Sequence, residues 1–132
     1  MFRSRRTLGF TLIELVTAMT LLALLASVGI VGYRRHTLAA KESVLKENLW
    51  QLNHALEQHK ADRGRYPSAL SALKELGYLR DIPVDPITGS RETWTAEMEP
   101  PDPDDPDAEV GIWRVRSGAT DVGENGLPYN EW

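Results

Sequence analysis

Residues 5–33 read RRTLGFTLIELVTAMTLLALLASVGIVGY, and the stretch from Leu15 to Tyr33 carries no charge. A bilayer core about 30 Å thick needs roughly 20 apolar residues in a helix, so this run is long enough to span one. The helix does not have to stop there. All eight prolines lie at or beyond Pro67, and between Phe10 and Arg63 the only glycines are Gly29 and Gly32. Nothing in that interval obliges the backbone to leave a helix. At about 1.5 Å per residue it would be on the order of 80 Å long, more than a domain of this size can enclose. One end must therefore leave the globule, and the only charge set into its apolar end is Glu14.

The chain of 132 residues can hold one modest domain and not two full cores. It has no cysteine, which removes disulfides and thiolate metal sites. Its formal charge is -4, and Arg3, Arg5 and Arg6 all fall within the first nine residues. The remainder is thus still more acidic, which argues against a nucleic-acid partner. A buried core helix is a poor reading of the apolar run, because the residues beyond Arg63 are too few to wrap a helix apolar all round. A cleaved secretory signal normally has an apolar region of about 7–15 residues. Ser27-Val28-Gly29 would pass as a weak cut site for one, but the run is longer and Glu14 at its head makes insertion harder. Charge alone leaves orientation open, with Arg3, Arg5 and Arg6 on one side and Arg34, Arg35, Lys41 and Lys46 on the other.

The short basic leader, then Gly9-Phe10-Thr11-Leu12-Ile13-Glu14, then the apolar run, closely resembles the class III signal of type IV pilins and type II secretion pseudopilins. The resemblance implies that a membrane-embedded prepilin peptidase cuts between Gly9 and Phe10 and methylates the new amine of Phe10. It also implies a topology, with residues 1–9 cytoplasmic and the bulk of the chain outside the inner membrane. Glu14 gains a physical role from the same cut. A carboxylate in hydrocarbon costs several kcal/mol unless neutralised or paired. A cationic amine at Phe10 is a partner at about the same depth, and in the family the pair is thought to form between neighbouring subunits. The bland alternative is a Glu14 that snorkels to the headgroups. Many family members carry a proline near the position of Val31; here Gly29 and Gly32 flank it, either loosening the helix or letting helices pack closely.

Beyond Tyr33 the pattern turns amphipathic. Leu38, Leu45, Leu49, Leu52 and Leu56 form the stripe of a helix with one buried face. Glu42 and Lys46, four apart, are expected to give minor support on its exposed side. Asp62-Arg63-Gly64-Arg65-Tyr66-Pro67 ends the helix, with Gly64 as cap. Ser68 is expected to cap a second helix, Ala69 to Leu76, closed by Gly77. GYLRDIPVDPITGS reads as an ordered loop. Two short strands are predicted around Glu92–Glu97 and Gly111–Arg116, separated by EPPDPDDPDAE, a solvated hairpin loop. The order Tyr-Leu-Arg, Ile-Pro, Asp85-Pro86 again resembles the G-type (major) pseudopilins.

In that family the loop after the last strand folds around calcium, an ion that takes about 6–8 oxygens in irregular geometry. The resemblance implies a calcium site here at Asp121, with Glu124 or Asn125 substituting where the usual adjacent ligands correspond to Leu127 and Pro128. The alternative is a loop pinned by Tyr129 and Trp132 with no metal. No enzyme constellation emerges. His36, His54 and His59 lack metal-ligand spacing and are expected on exposed or half-exposed helix surface.

The sequence therefore predicts a type IV pilin-like α+β fold: a long N-terminal helix packed on a small domain with a short helix and a small antiparallel sheet. The expected divisions are a cleaved leader over 1–9, a transmembrane or filament-core helix over 10–33, an amphipathic half over 34–63 and a periplasmic domain over 64–132. The resemblance implies a non-enzymatic structural subunit of the type II secretion pseudopilus, anchored by a single pass in the bacterial inner membrane. Its partners would be copies of itself, minor pseudopilins, the prepilin peptidase and the inner-membrane assembly platform. The alternatives are a type IV pilin of a surface fibre and a membrane-anchored periplasmic binding module that never polymerises.

Overall fold

The computed structural model describes residues 9–132, so the expected leader lies, Gly9 apart, outside the described residues. Helix α1 runs Leu12–Arg63. The chain divides after Thr37 into two compact units, and each has its own character.

In the first unit α1 is long and apolar enough to cross a membrane, and none of that apolar stretch is buried. Leu15, Leu21, Leu25 and Ile30 all stand exposed. Its hydroxyls turn inward on the helix: Thr17, Thr20 and Ser27 donate to the carbonyls of Glu14, Val16 and Leu24. This satisfies their donors within the helix, as an apolar medium would require.

The second unit is built on the remaining part of α1. Leu45, Leu49, Leu52, Ala55 and Leu56 are buried and meet Leu73, Trp94, Ile112, Val115, Ala119 and Tyr129 in one core. Leu38, expected at the head of this stripe, is instead exposed, because the packed face begins one turn later at Glu42. The helix closes as its residues demand. Gly64 takes φ +76°, its N–H donates to the Lys60 carbonyl at 2.8 Å, and Pro67 follows.

Helix α2 is shorter than its sequence suggests, Ser71–Glu75, and Ser68 does not cap it. The N–H groups of Ala72 and Leu73 bond three residues back, to Ala69 and Leu70, so the first turn is too tight for a side-chain cap. Gly77 does terminate it at φ +81°, and Leu79 N–H returns to the Leu73 carbonyl at 3.0 Å.

The loop from Tyr78 to Trp94 is ordered around a buried carboxylate. Asp85 accepts the Ser117 hydroxyl on Oδ2 at 2.5 Å and the Ile87 and Thr88 amides on Oδ1. Two strands follow, β1 (Thr95–Met98) and β2 (Ile112–Arg116), antiparallel with Ala96 opposite Val115 and a bulge between Glu97 and Met98. The first begins later than predicted, because Ser90 and Arg91 are still engaged in the Asp85 turn and its contacts. Asn53 of α1 clamps β2 to the helix, donating to the Val115 carbonyl and accepting its N–H at 2.9 Å. The acidic segment between the strands is exposed, as a solvated loop should be. Its two ends are held by ion pairs, Lys60–Glu99 at 2.9 Å and Arg65–Glu109 at 3.3 Å.

Candidate functional site

Two regions concentrate the features that sequence patterns single out. The first is the head of α1. Gly9 and Phe10 precede the helix and are exposed, and a side chain added at Gly9 would meet open space. Thr11 opens the helix: its Oγ1 accepts the Glu14 N–H at 3.3 Å and its carbonyl accepts the Leu15 N–H at 3.1 Å. Thr11 to Glu14 thus has the spacing of a capping box, a signal present in Thr-Leu-Ile-Glu that the sequence reading passed over. Glu14 is the acid of the first turn, where the exposed amides of the helix start favour negative charge. The side chains around it, Leu12, Ile13 and Leu15, are apolar and exposed.

The second region is the C-terminal loop, which ends in a 3-10 turn, Tyr129–Glu131. Sequence expected Glu42 on the exposed side of α1, in company with Lys46. The structure corrects this: Glu42 is buried, with 6% of its surface exposed. Its Oε1 accepts the Tyr129 hydroxyl at 2.8 Å and the Glu124 backbone N–H at 2.8 Å. Lys46 turns instead to the face of Trp132, 5.0 Å from the ring centre, and Trp132 meets Tyr129 edge-on. Burial first, and then the Glu42 carboxylate, push the Tyr129 phenol up to about 12. A signal for this existed. The leucine stripe skips from Leu38 to Leu45, and position 42 falls on the same face within that gap.

Asp121 and Glu124 are brought into this loop but not toward one another as ligands. Both side chains are exposed. Asp121 contributes only its backbone carbonyl, which accepts the Tyr129 N–H at 2.9 Å, and Asn125 accepts the Leu127 N–H. Among the described residues no group of three or more His, Cys, Asp or Glu side chains is placed to hold a metal ion.

The histidines separate. His36 and His54 are exposed, and His54 stacks flat on Trp50 with ring centres 4.8 Å apart. His59, expected at the surface, is buried, and its Nδ1 donates to the Arg65 carbonyl at 2.8 Å. It fastens the turn that follows α1.

A long helix, unburied over its apolar part and packed elsewhere on a short helix and a two-stranded antiparallel sheet, defines the pilin-like α+β class. Residues 4–30 match the prokaryotic N-terminal methylation motif. The chain is 27% identical to the type II secretion system core protein G of Dickeya chrysanthemi, over 92% of this chain and 96% of that one. It is 31% identical to the protein of the same name from Pseudomonas aeruginosa, over 62% of this chain and 69% of that one. A third, from Klebsiella pneumoniae, is 29% identical over 62% and 70%. No solved structure matches. The chain belongs to the type II secretion system core protein G family, the G-type major pseudopilins, which are structural proteins and not enzymes.

Proposed function

We propose that this pseudopilin is the repeating subunit of a periplasmic filament that drives protein export. The observation that carries the reading is the head of α1: an apolar surface with no side chain buried, interrupted by the single acid Glu14. In the bilayer that surface faces lipid. In a filament the same surfaces face one another, and van der Waals packing of helices replaces lipid contact.

In this reading residues 1–9 are cytoplasmic and are removed by the prepilin peptidase, which leaves a methylated amine on Phe10. Residues 10–33 then anchor the subunit in the inner membrane and later form the filament core, residues 34–63 continue the helix, and residues 64–132 are periplasmic. The Phe10 amine of one subunit pairs with Glu14 of the next. A carboxylate set into hydrocarbon costs several kcal/mol unless paired, so a partner at the same depth favours the correctly registered neighbour over a slipped one. Copies of the chain, minor pseudopilins and the inner-membrane assembly platform complete the machine.

Glu14→Ala separates processing from assembly. The variant should be cleaved like the unaltered chain, seen as the same mass loss, and yet fail to form filaments in sheared membrane fractions. Normal filaments from Glu14→Ala would remove the pairing. A chain cleaved normally but never found in filaments, with or without the substitution, would point to a membrane-anchored module instead.

A further inference from the structure

The C-terminal loop offers a direct test of whether a divalent cation could sit in it. A calcium site needs several oxygens converging on one point. Here the groups that converge inside the loop are donors, the Glu124 N–H and the Tyr129 O–H, and they meet on one oxygen of Glu42. The polarity is the reverse of a cation site. The residues at the family's ligand positions do not compensate: the Asp121 and Glu124 side chains are exposed, and the Asp121 carbonyl is already used by Tyr129. The space is also committed. A side chain at Gly123 would come within 2.5 Å of the Trp132 ring and 3.1 Å of Glu42 Oε1, so the loop is pressed against the carboxylate.

We propose that Glu42 closes this loop in place of a metal: a carboxylate supplied by α1, not an ion gathered by the loop, is what ties residues 121–132 to the helix. Glu42 is then a positioning residue for the whole C-terminal segment. It satisfies the buried Tyr129 hydroxyl and the part-buried Glu124 N–H, and stranding the first costs more than an ordinary hydrogen bond. Lys46 and Trp132 shield the same corner from solvent through their cation–ring contact.

The experiment uses the full chain in detergent micelles, with thermal unfolding followed by tryptophan fluorescence and near-ultraviolet dichroism. Calcium chloride and a calcium chelator are the two additives. The unaltered protein should melt at the same temperature in both, and Asp121→Asn and Glu124→Gln should change nothing in either. Glu42→Ala should lower the midpoint by at least about 4 °C, equally with and without calcium. It should also open the loop to protease between Ala119 and Trp132. Glu42→Gln keeps an oxygen acceptor and should fall between the two. If Glu42→Ala does not fold, hydrogen exchange at the Glu124 amide in Glu42→Gln carries the test, with faster exchange expected. A midpoint that rises with calcium in the unaltered chain and loses that rise in Asp121→Asn would overturn the proposal. So would a Glu42 variant whose loop stays fully protected.

Discussion

Glu42 and Tyr129 show how one buried pair sets the chemistry of a corner. The phenol is almost fully buried and donates to a carboxylate, so its neutral form is favoured and its ionisation is pushed from 10.0 up to about 12. Stability that depends on a raised pKa is fully present below the unfolded value, near pH 10, and is lost as the pH climbs through the folded one. Two further groups act in the same direction. Lys60 is raised by its bond to Glu99, and Tyr66 is raised by burial and by its bond to Glu57. Asp81, lowered by its bond to Lys74, contributes stability throughout neutral and alkaline pH and loses it only as the pH falls through its depressed value. Denaturant midpoints should therefore be flat through neutral pH and fall steeply between about pH 10 and 12. The phenol alone accounts for about 2–3 kcal/mol of that fall. Tyr129→Phe should flatten the slope while lowering stability at neutral pH, since it leaves Glu42 one donor short. A slope unchanged in Tyr129→Phe would place the alkaline loss elsewhere.

At the scale of elements, α1 is both a surface and a scaffold. The leucine spacing made its buried face readable, because a 3.6-residue period leaves few alternatives for Leu45, Leu49, Leu52 and Leu56. The closure at Gly64 and the two strands were readable for similar reasons of local chemistry. What could not be read was the traffic across long separations. Asn53 looks like an ordinary polar position on a helix, yet it completes the hydrogen bonds of Val115, 62 residues away. Asp85 looks like a turn residue, yet it is fully buried and binds Ser117. Glu42 was misplaced for the same reason: a polar residue is assigned to solvent until its distant partner is known. Asn53→Ala should cost about 2 kcal/mol by stranding both polar groups of Val115, and should loosen amide exchange in β2 before any other element. Leu52→Ala, purely a loss of packing, should cost about 2–5 kcal/mol and affect all elements of the second unit together. If the two variants gave the same exchange pattern, the clamp would be no more than another part of the core.

For the whole molecule, the N-terminal motif was the most legible part, because a basic leader, a glycine, an acid and a long apolar run together resemble the family's processing signal, and residues 4–30 match its methylation motif. Intact-mass measurement of the native protein should give a chain beginning at methylated Phe10. A mature form beginning near Gly29 would instead mean an ordinary secretory signal. The contacts of Glu42 carry a consequence of another kind, in the order of synthesis. The ribosome makes this carboxylate 82 and 87 residues before the groups that bind it. Local helix can form at once, but the second unit cannot finish until Tyr129 has been added. Throughout that interval an apolar stripe of α1 waits without its cover, and some other surface must shield it from aggregation. A chain interrupted before Tyr129 leaves Glu42 without its phenol donor, so the arrival of the turn Tyr129–Glu131 is what closes the second unit.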